Sequence, residues 1–290
     1  VMYSRKQKPM NSEGKNACLA RLKEIPSPPQ ELYEEGVWPE RNTKLLAVVG
    51  SRAITPYGRE ACEKLIAGLA GYPISIVSGL ALGADAVAHR SALRAGLHTI
   101  AVPGSGLHDS VIYPRSNAGL AREIVQSGGL LLSEHPSTHK ARAYDFPSRN
   151  RIMVGISDAV LVVEAGEKSG TLITARLTHE YNRDLLCVPH RIGDPHGYGA
   201  HLFLRLGATL VSESEHILEM LDIEPKTLRL SLPTNLQGRE QKIYEILAEP
   251  TSRDTLIRTS GFSASEVLTA LVTLELGGLA KEEFGLWRRS

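Results

Sequence analysis

Phe146-Pro147-Ser148-Arg149-Asn150-Arg151 places one aromatic ring, two guanidinium groups and a carboxamide in consecutive positions. Single-stranded nucleic acid is held by this mix, with an aromatic face for a base and cations for the backbone. A plainer reading fits the same residues: a helix capped by Ser148, with Arg149 in solvent and Phe146 in the core. Gly50-Ser51-Arg52 offers a phosphate turn amides, a hydroxyl and a permanent cation. Ser169-Gly170-Thr171 opens a further helix, whose first amides either hold an anion or are satisfied by an ordinary cap.

Other chemistries are poorly served. The 50–52 turn is not Gly-x-Gly-x-x-Gly, no acidic residue follows where a ribose contact belongs, and no Walker phosphate loop occurs, which weakens NAD and ATP binding. Glu134 and Glu164 each end an apolar run, where a lone carboxylate more often binds loop amides than moves protons. All ten histidines lie between His89 and His216, and none forms an evident metal-ligand set. Pro136 argues against a shared helical face for His135 and His139, and His89 reads as a packed residue. No Gly-x-Ser-x-Gly elbow or Cys/His pair supplies a nucleophile. The expectation is therefore no catalytic residue, no cofactor and no metal.

These residues must be positioned by an alternation of short apolar runs and helical spacings. The runs fall at 45–49, 74–77, 99–102, 130–132, 159–163, 185–188 and 209–211, and the helices at about 56–70, 83–96, 115–127, 148–156, 169–182, 197–206 and 213–221. Strands apolar at nearly every position are buried on both faces, so the pattern predicts an α/β fold with a Rossmann-like, doubly wound, mostly parallel sheet. Ligands of such sheets bind beyond the carboxyl ends of the strands. The residues there include Gly50, Ser51, Arg52, Ser78, Gly79 and Gly104.

Residues 1–42 are polar and lysine-rich, then proline-rich, and read as an extended lead-in to a domain over 43–221. A linker is expected over 222–238. Three short helices at 239–248, 253–260 and 264–276, with a hairpin through 279–289, then predict a small C-terminal winged-helix domain over 239–290. Its recognition helix holds no Lys or Arg, and residues 236–290 carry seven basic against eight acidic side chains. Contact with protein is expected there rather than reading of duplex sequence.

With 290 residues, 42% hydrophobic and 22% charged, the chain is in the globular range, which excludes disorder, collagen and coiled coil as the main architecture. The first twenty residues lack a secretory signal and no run reaches the ~18 apolar residues of a membrane helix, so a cytoplasmic protein with no membrane partner is expected. Valine at position 1 suggests a trimmed start. Lys plus Arg number 33 against 32 Asp plus Glu, so attraction for a polyanion must be local. Cys18, Cys62 and Cys187 are widely spaced and odd in number, as reduced packing residues are.

Taken in order, IPSPPQELYEEG, VVGSR followed by YG, SGLALGADAVAH, TIAVPGSGLHDSVIYPRSN, LLSEHP, FPSRNRIMVGISDAVLVVEAGEKSGTLITA and CVPHRIGDPHGYGAHLFLRLGAT resemble the DNA processing protein A family, also called Smf. The likeness covers about residues 25 to 215, with a C-terminal part similar to the winged helix of some members. It implies a non-enzymatic protein that binds incoming single-stranded DNA during natural transformation, protects it and loads a RecA-type recombinase onto it, as a homodimer formed through the Rossmann-like domain. It maps Gly50, Ser51 and Arg52 to a phosphate pocket, and Phe146, Arg149, Asn150 and Arg151 to the FPxRNR segment. Lys140 and Arg142, just upstream, are expected to widen the positive rim.

The chain departs from the family pattern in places. Gly83-Ala84-Asp85 stands where GID is usual, His190 where a turn glycine is common, and His201 where asparagine is common. The backbone around 188–190 is therefore expected to differ, and about forty residues before the first strand leave no room for the N-terminal helical module of many members. Two rival readings stay open. One is a nucleotide-hydrolysing enzyme resembling the lysine-decarboxylase-like phosphoribohydrolases, although residues 164–172 lack the carboxylate of their PGGxGTxxE signature. The other is a nucleotide sensor signalling through the winged helix.

Overall fold

Leu45, Ala47 and Val49 pack into one hydrophobic layer and Leu46 and Val48 into another, and all five are buried. A strand with core on both faces needs this run of small and branched apolar residues. The computed structural model describes residues 11–167, 169–225, 238–283 and 285–289. The chain divides into two compact units, Val1–Pro225 and Lys226–Ser290. Residues 1–10 of the expected lead-in and 226–237 of the expected linker lie outside the described residues.

In chain order the first unit contains α1 (Ser12–Lys23), β1 (Tyr33–Gly36), β2 (Lys44–Gly50), α2 (Pro56–Ala67), β3 (Ile74–Ser78), α3 (Ala84–Arg94), β4 (His98–Ala101), α4 (Ala118–Gln126) and β5 (Leu130–Ser133). It continues with α5 (Asp145–Ile156), β6 (Ala159–Glu164), α6 (Thr171–Glu180), β7 (Asp184–Cys187), α7 (Tyr198–Arg205), β8 (Thr209–Leu210) and α8 (Ser214–Met220). The strands form one sheet in the order β1-β5-β4-β3-β2-β6-β7-β8. Only β1, on the edge beside β5, runs antiparallel. Helices α1, α5, α6 and α7 cover one face, and α2, α3 and α8 cover the other.

Beyond β2 the chain winds outward through β3, β4 and β5, then returns across the sheet to lay β6 on the other side of β2. This reversal leaves a crevice at the carboxyl ends of β2 and β6, the place where doubly wound sheets hold ligands. Gly50 and Glu164 face each other there, with a register shift at Val49/Gly50.

Two elements correct the expected extended lead-in. The polar segment before residue 24 forms α1, capped by the Asn11 side chain, with Cys18 and Leu22 buried against α5. Arg21 forks onto Asp158, at 2.8 and 2.7 Å, and Asp158 also accepts the Leu45 amide at 2.7 Å. Tyr33–Gly36 adds β1 to the sheet in spite of its two glutamates.

The second unit holds α9 (Arg239–Ile246), α10 (Arg253–Ser260), α11 (Ala264–Leu276) and the antiparallel hairpin of β9 (Ala280–Glu283) and β10 (Leu286–Arg289). Ile243, Leu256, Leu271, Leu274 and Trp287 are buried at its centre. Ser263 and Glu266 close a capping box at the start of α11. Leu268, Val272 and Leu276, four residues apart on that helix, are exposed.

Candidate nucleic-acid interface

A cleft of about 720 Å³ opens at the switch point. Its walls are the β2–α2 turn from Gly50 to Ala53, the start of α5 with Phe146, Arg149 and Asn150, and the start of α6 with Ser169, Gly170 and Thr171. The fold therefore brings together the separate segments that the sequence nominates.

Gly50 is required by a close approach. A Cβ there would sit 2.7 Å from the Ala84 Cβ, where α3 abuts the turn and the Ala84 amide donates to the Ser51 carbonyl at 3.0 Å. Gly83, at φ +72°, completes the contact, since a side chain would collide with the carbonyls of Ser51 and Arg52. Arg52 is exposed, and its guanidinium carbon lies 5.0 Å from the centre of the Phe146 ring. Phe146 is half-buried against Gly104, where a Cβ would come within 2.9 Å of the ring. Tyr113 packs on it at 5.6 Å between centroids and is itself exposed.

The helix carrying Phe146 starts earlier than expected. Asp145 is its first residue, Tyr144 precedes it, and Ser148 lies inside the helix rather than capping it. Pro147 is tolerated because the first turn needs no amide donor. This start aims Arg149 into the protein, so the expectation of a solvated Arg149 is corrected: it is 4% exposed and donates to the Val102 carbonyl. Burial pulls its guanidinium down to about 10, the charge of Asp85 works against that fall, and Arg52 adds to it. It stays cationic at neutral pH and lines the cleft floor. Gly79 makes room for it, since a Cβ there would strike the guanidinium.

Several nominated residues are used elsewhere. Ser78 is fully buried and donates its hydroxyl to the Val48 carbonyl at 2.6 Å. Arg151 faces away from the cleft and pairs with Glu134. Asn150 remains in the cleft wall and ties α5 to Thr174 of α6 at 3.0 Å. Lys140 and Arg142 are exposed in the segment leading into α5, and Arg142 bonds the Tyr144 hydroxyl at 2.6 Å; neither lines the cleft. At the start of α6 the amides of Ser169, Thr171, Leu172 and Ile173 are all donated within the turn, so the capped-helix reading fits that segment better than a second phosphate cradle.

Glu164, a carboxylate at a strand end, is fully buried and accepts the Thr55 amide and, at 2.7 Å, its hydroxyl. It fixes the β2–α2 turn. The ring of His190 points inward to the Val163 carbonyl at 3.0 Å, and the absence of a side chain at Gly197 leaves space for it. His201 bonds the His190 carbonyl at 3.0 Å. His89 is buried with its Nδ1 2.8 Å from the Thr99 hydroxyl. The three cysteines are free and buried.

Sequence reasoning passed over Asp85, His196 and Tyr113. Asp85 had a visible signal in Gly83-Ala84-Asp85, an acidic residue in a first helical turn at the sheet edge. His196 enters the cleft from an Asp-Pro-His-Gly turn in which Asp194 accepts the His196 amide at 2.8 Å. The sequence reading weighed His135 and His139 only as a helical pair; the fold brings them together with Asp145, one ligand atom of each lying within 4.8 Å of the others. They meet through a turn at Pro136–His139 instead of a helical face.

A Rossmann-like sheet with a switch-point cleft, followed by a winged helix, defines the architecture, and comparison with known proteins gives it a family. Residues 13–222 match the model of DNA recombination-mediator protein A, and residues 231–285 match that of the DprA winged helix domain. The chain belongs to the DNA recombination-mediator protein A family. It is 40% identical over 259 residues to Protein Smf of Escherichia coli, covering 86% of this chain and 69% of that protein. The X-ray structure of DNA processing protein A from Streptococcus pneumoniae is similar at TM-score 0.63 and 38% identity, over 69% of each chain. That of Helicobacter pylori, described for its single-stranded DNA binding mode, is similar at TM-score 0.61 and 30% identity, over 69% of this chain and 91% of that one.

Proposed function

We propose that the switch-point cleft binds single-stranded DNA without breaking a bond. Arg52 and the Gly50–Ala53 turn hold backbone phosphates, and the Phe146 ring, backed by Tyr113, receives a base. The observation that carries this reading is the exposed Arg52 guanidinium beside the Phe146 ring at the mouth of the cleft. The exposed Arg52 gives a near-neutral chain a local cation at this cleft, while buried Arg149 lies beside Asp85, which also lines it. The single-stranded DNA binding described for the Helicobacter pylori relative supports the same ligand. By family resemblance we extend the proposal to a cytoplasmic homodimer that passes the strand to a RecA-type recombinase during natural transformation.

The test is salt-dependent binding of fluorescent oligothymidine to the wild-type protein and Arg52→Ala. Losing one phosphate contact should weaken binding and flatten the slope of log K against log salt by about 0.7. Identical titrations by the two proteins would refute the assignment of Arg52.

A further inference from the structure

Outside the cleft, two imidazoles and a carboxylate meet between β5 and α5. The Pro136–His139 turn, closed by the His139 amide on the Pro136 carbonyl at 2.9 Å, lays the His135 and His139 rings face to face, 4.1 Å apart and 19° from parallel. Both Nε2 atoms turn to Asp145, whose side chain is 1% exposed, at 3.7 Å for His135 and 2.8 Å for His139. Oδ2 of Asp145 takes His139 and the Arg142 amide, while Oδ1 faces His135 across a gap too long for a hydrogen bond. The Nε2 of His135 is shielded from solvent and has no hydrogen-bond partner among the described residues. Leaving such an atom unpaired costs about 1–3 kcal/mol.

We propose that His135, His139 and Asp145 form a binding site for a divalent transition-metal ion of the zinc class. Two neutral imidazole nitrogens and one carboxylate oxygen suit such an ion. Bonds of about 2.0–2.1 Å in tetrahedral geometry separate ligand atoms by roughly 3.3 Å. The ligand atoms here lie within 4.8 Å of one another, and the stacked rings would have to rotate so that both Nε2 lone pairs converge on one ion, which would give the His135 nitrogen its partner. The neighbouring Arg151 is paired with Glu134, which offsets its repulsion of a cation. The turn is held from outside the cluster: the Gly106 amide donates to the His139 carbonyl and the His108 amide to the Ser137 carbonyl, both at 2.9 Å. The ion would clasp this loop to the first residue of α5, directly before Phe146. Competition from thiolates is weak, since all three cysteines are buried and their thiols are raised to between about 11 and about 12.

The proposal does not depend on DNA binding and is tested without DNA. Metal-free full-length protein is titrated calorimetrically with Zn²⁺ and spectroscopically with Co²⁺. One ion per chain is expected, with the visible absorption of a four-coordinate nitrogen/oxygen Co²⁺ site. His139→Ala and His135→Gln should each weaken binding at least about tenfold, whereas His179→Ala, on the exposed side of α6, should not. In the wild type, Zn²⁺ should protect His135 and His139, but not His179, from diethylpyrocarbonate, a readout that needs no variant to fold. Failure of the wild type to bind Zn²⁺, binding unaltered by both cluster substitutions, or equal labelling of His135 and His139 with and without Zn²⁺ would overturn it.

Discussion

The Arg52 guanidinium lies over the Phe146 ring, its central carbon 5.0 Å from the ring centroid. A cation–π contact of this kind is worth about 0.5–1 kcal/mol at an exposed site. It holds a phosphate ligand and a base platform as one preformed unit, although 94 residues separate them in the chain (146 − 52).

Removing the ring should therefore cost affinity without changing the charge count. Phe146→Ala is expected to weaken oligothymidine binding by about 1–3 kcal/mol, the value of one stacked base, and to leave the salt slope unchanged. Tyr113→Ala should act in the same direction more weakly, because its ring packs on Phe146 and does not line the cleft itself. Fluorescence anisotropy at several salt concentrations separates the two terms.

The arginines of the 146–151 segment should behave differently from each other. Arg149→Ala removes the donor to the Val102 carbonyl and the charge that opposes the burial-driven rise of the Asp85 carboxyl, and should destabilise the fold by about 1–3 kcal/mol in urea unfolding. Adding Asp85→Asn should recover part of that loss. Arg151→Ala removes a pairing with Glu134 away from the cleft, so oligothymidine affinity should stay within about twofold and keep its salt slope.

Acid stability should report on His89. Burial, with a smaller contribution from the Arg149 charge, lowers its imidazole from 6.5 to about 3. The unfolded chain thus binds a proton that the folded chain refuses between those values. The neutral histidine's contribution to stability is complete above about pH 6.5 and is lost as pH falls toward 3. At pH 5 this amounts to about 2 kcal/mol. Urea midpoints at pH 5 and 7 should differ less in His89→Gln than in the wild type.

The winged-helix unit should contribute little to single-strand affinity. Its α11 carries no basic side chain and exposes Leu268, Val272 and Leu276, a surface suited to protein contact. A chain ending at Pro225 should bind oligothymidine with nearly wild-type affinity. A loss of tenfold or more would assign DNA contacts to the deleted part.

Most of the fold is legible without coordinates because buried parallel strands announce themselves. Leu45–Val49 and Ala159–Val163 are apolar at every position, and at five residues each, rich in branched side chains, they are too short for a buried helix and right for a strand with both faces in the core. Three helices and a hairpin after residue 238 were equally plain, as was the clustering of glycine and hydroxyl residues after the strands. By contrast, α1 is polar overall, and its Cys18/Leu22 stripe has meaning only once α5 lies against it. The two glutamates of β1 likewise conceal a strand whose pairing with β5 comes from backbone hydrogen bonds.

Residue types and the order of elements, then, are properties of the linear chain, since apolar periodicity and turn chemistry act over a few neighbours. Which way each polar side chain faces was settled by packing. Successive residues of a helix point about 100° apart, and the seating of α5 on the sheet sends Arg149 inward and Arg151 away while leaving Phe146 at the mouth of the cleft. The meeting of His135, His139 and Asp145 was decided in the same way, by a turn whose closure depends on the β4–α4 loop beneath it. Such convergence rests on long-range contacts that no local pattern encodes.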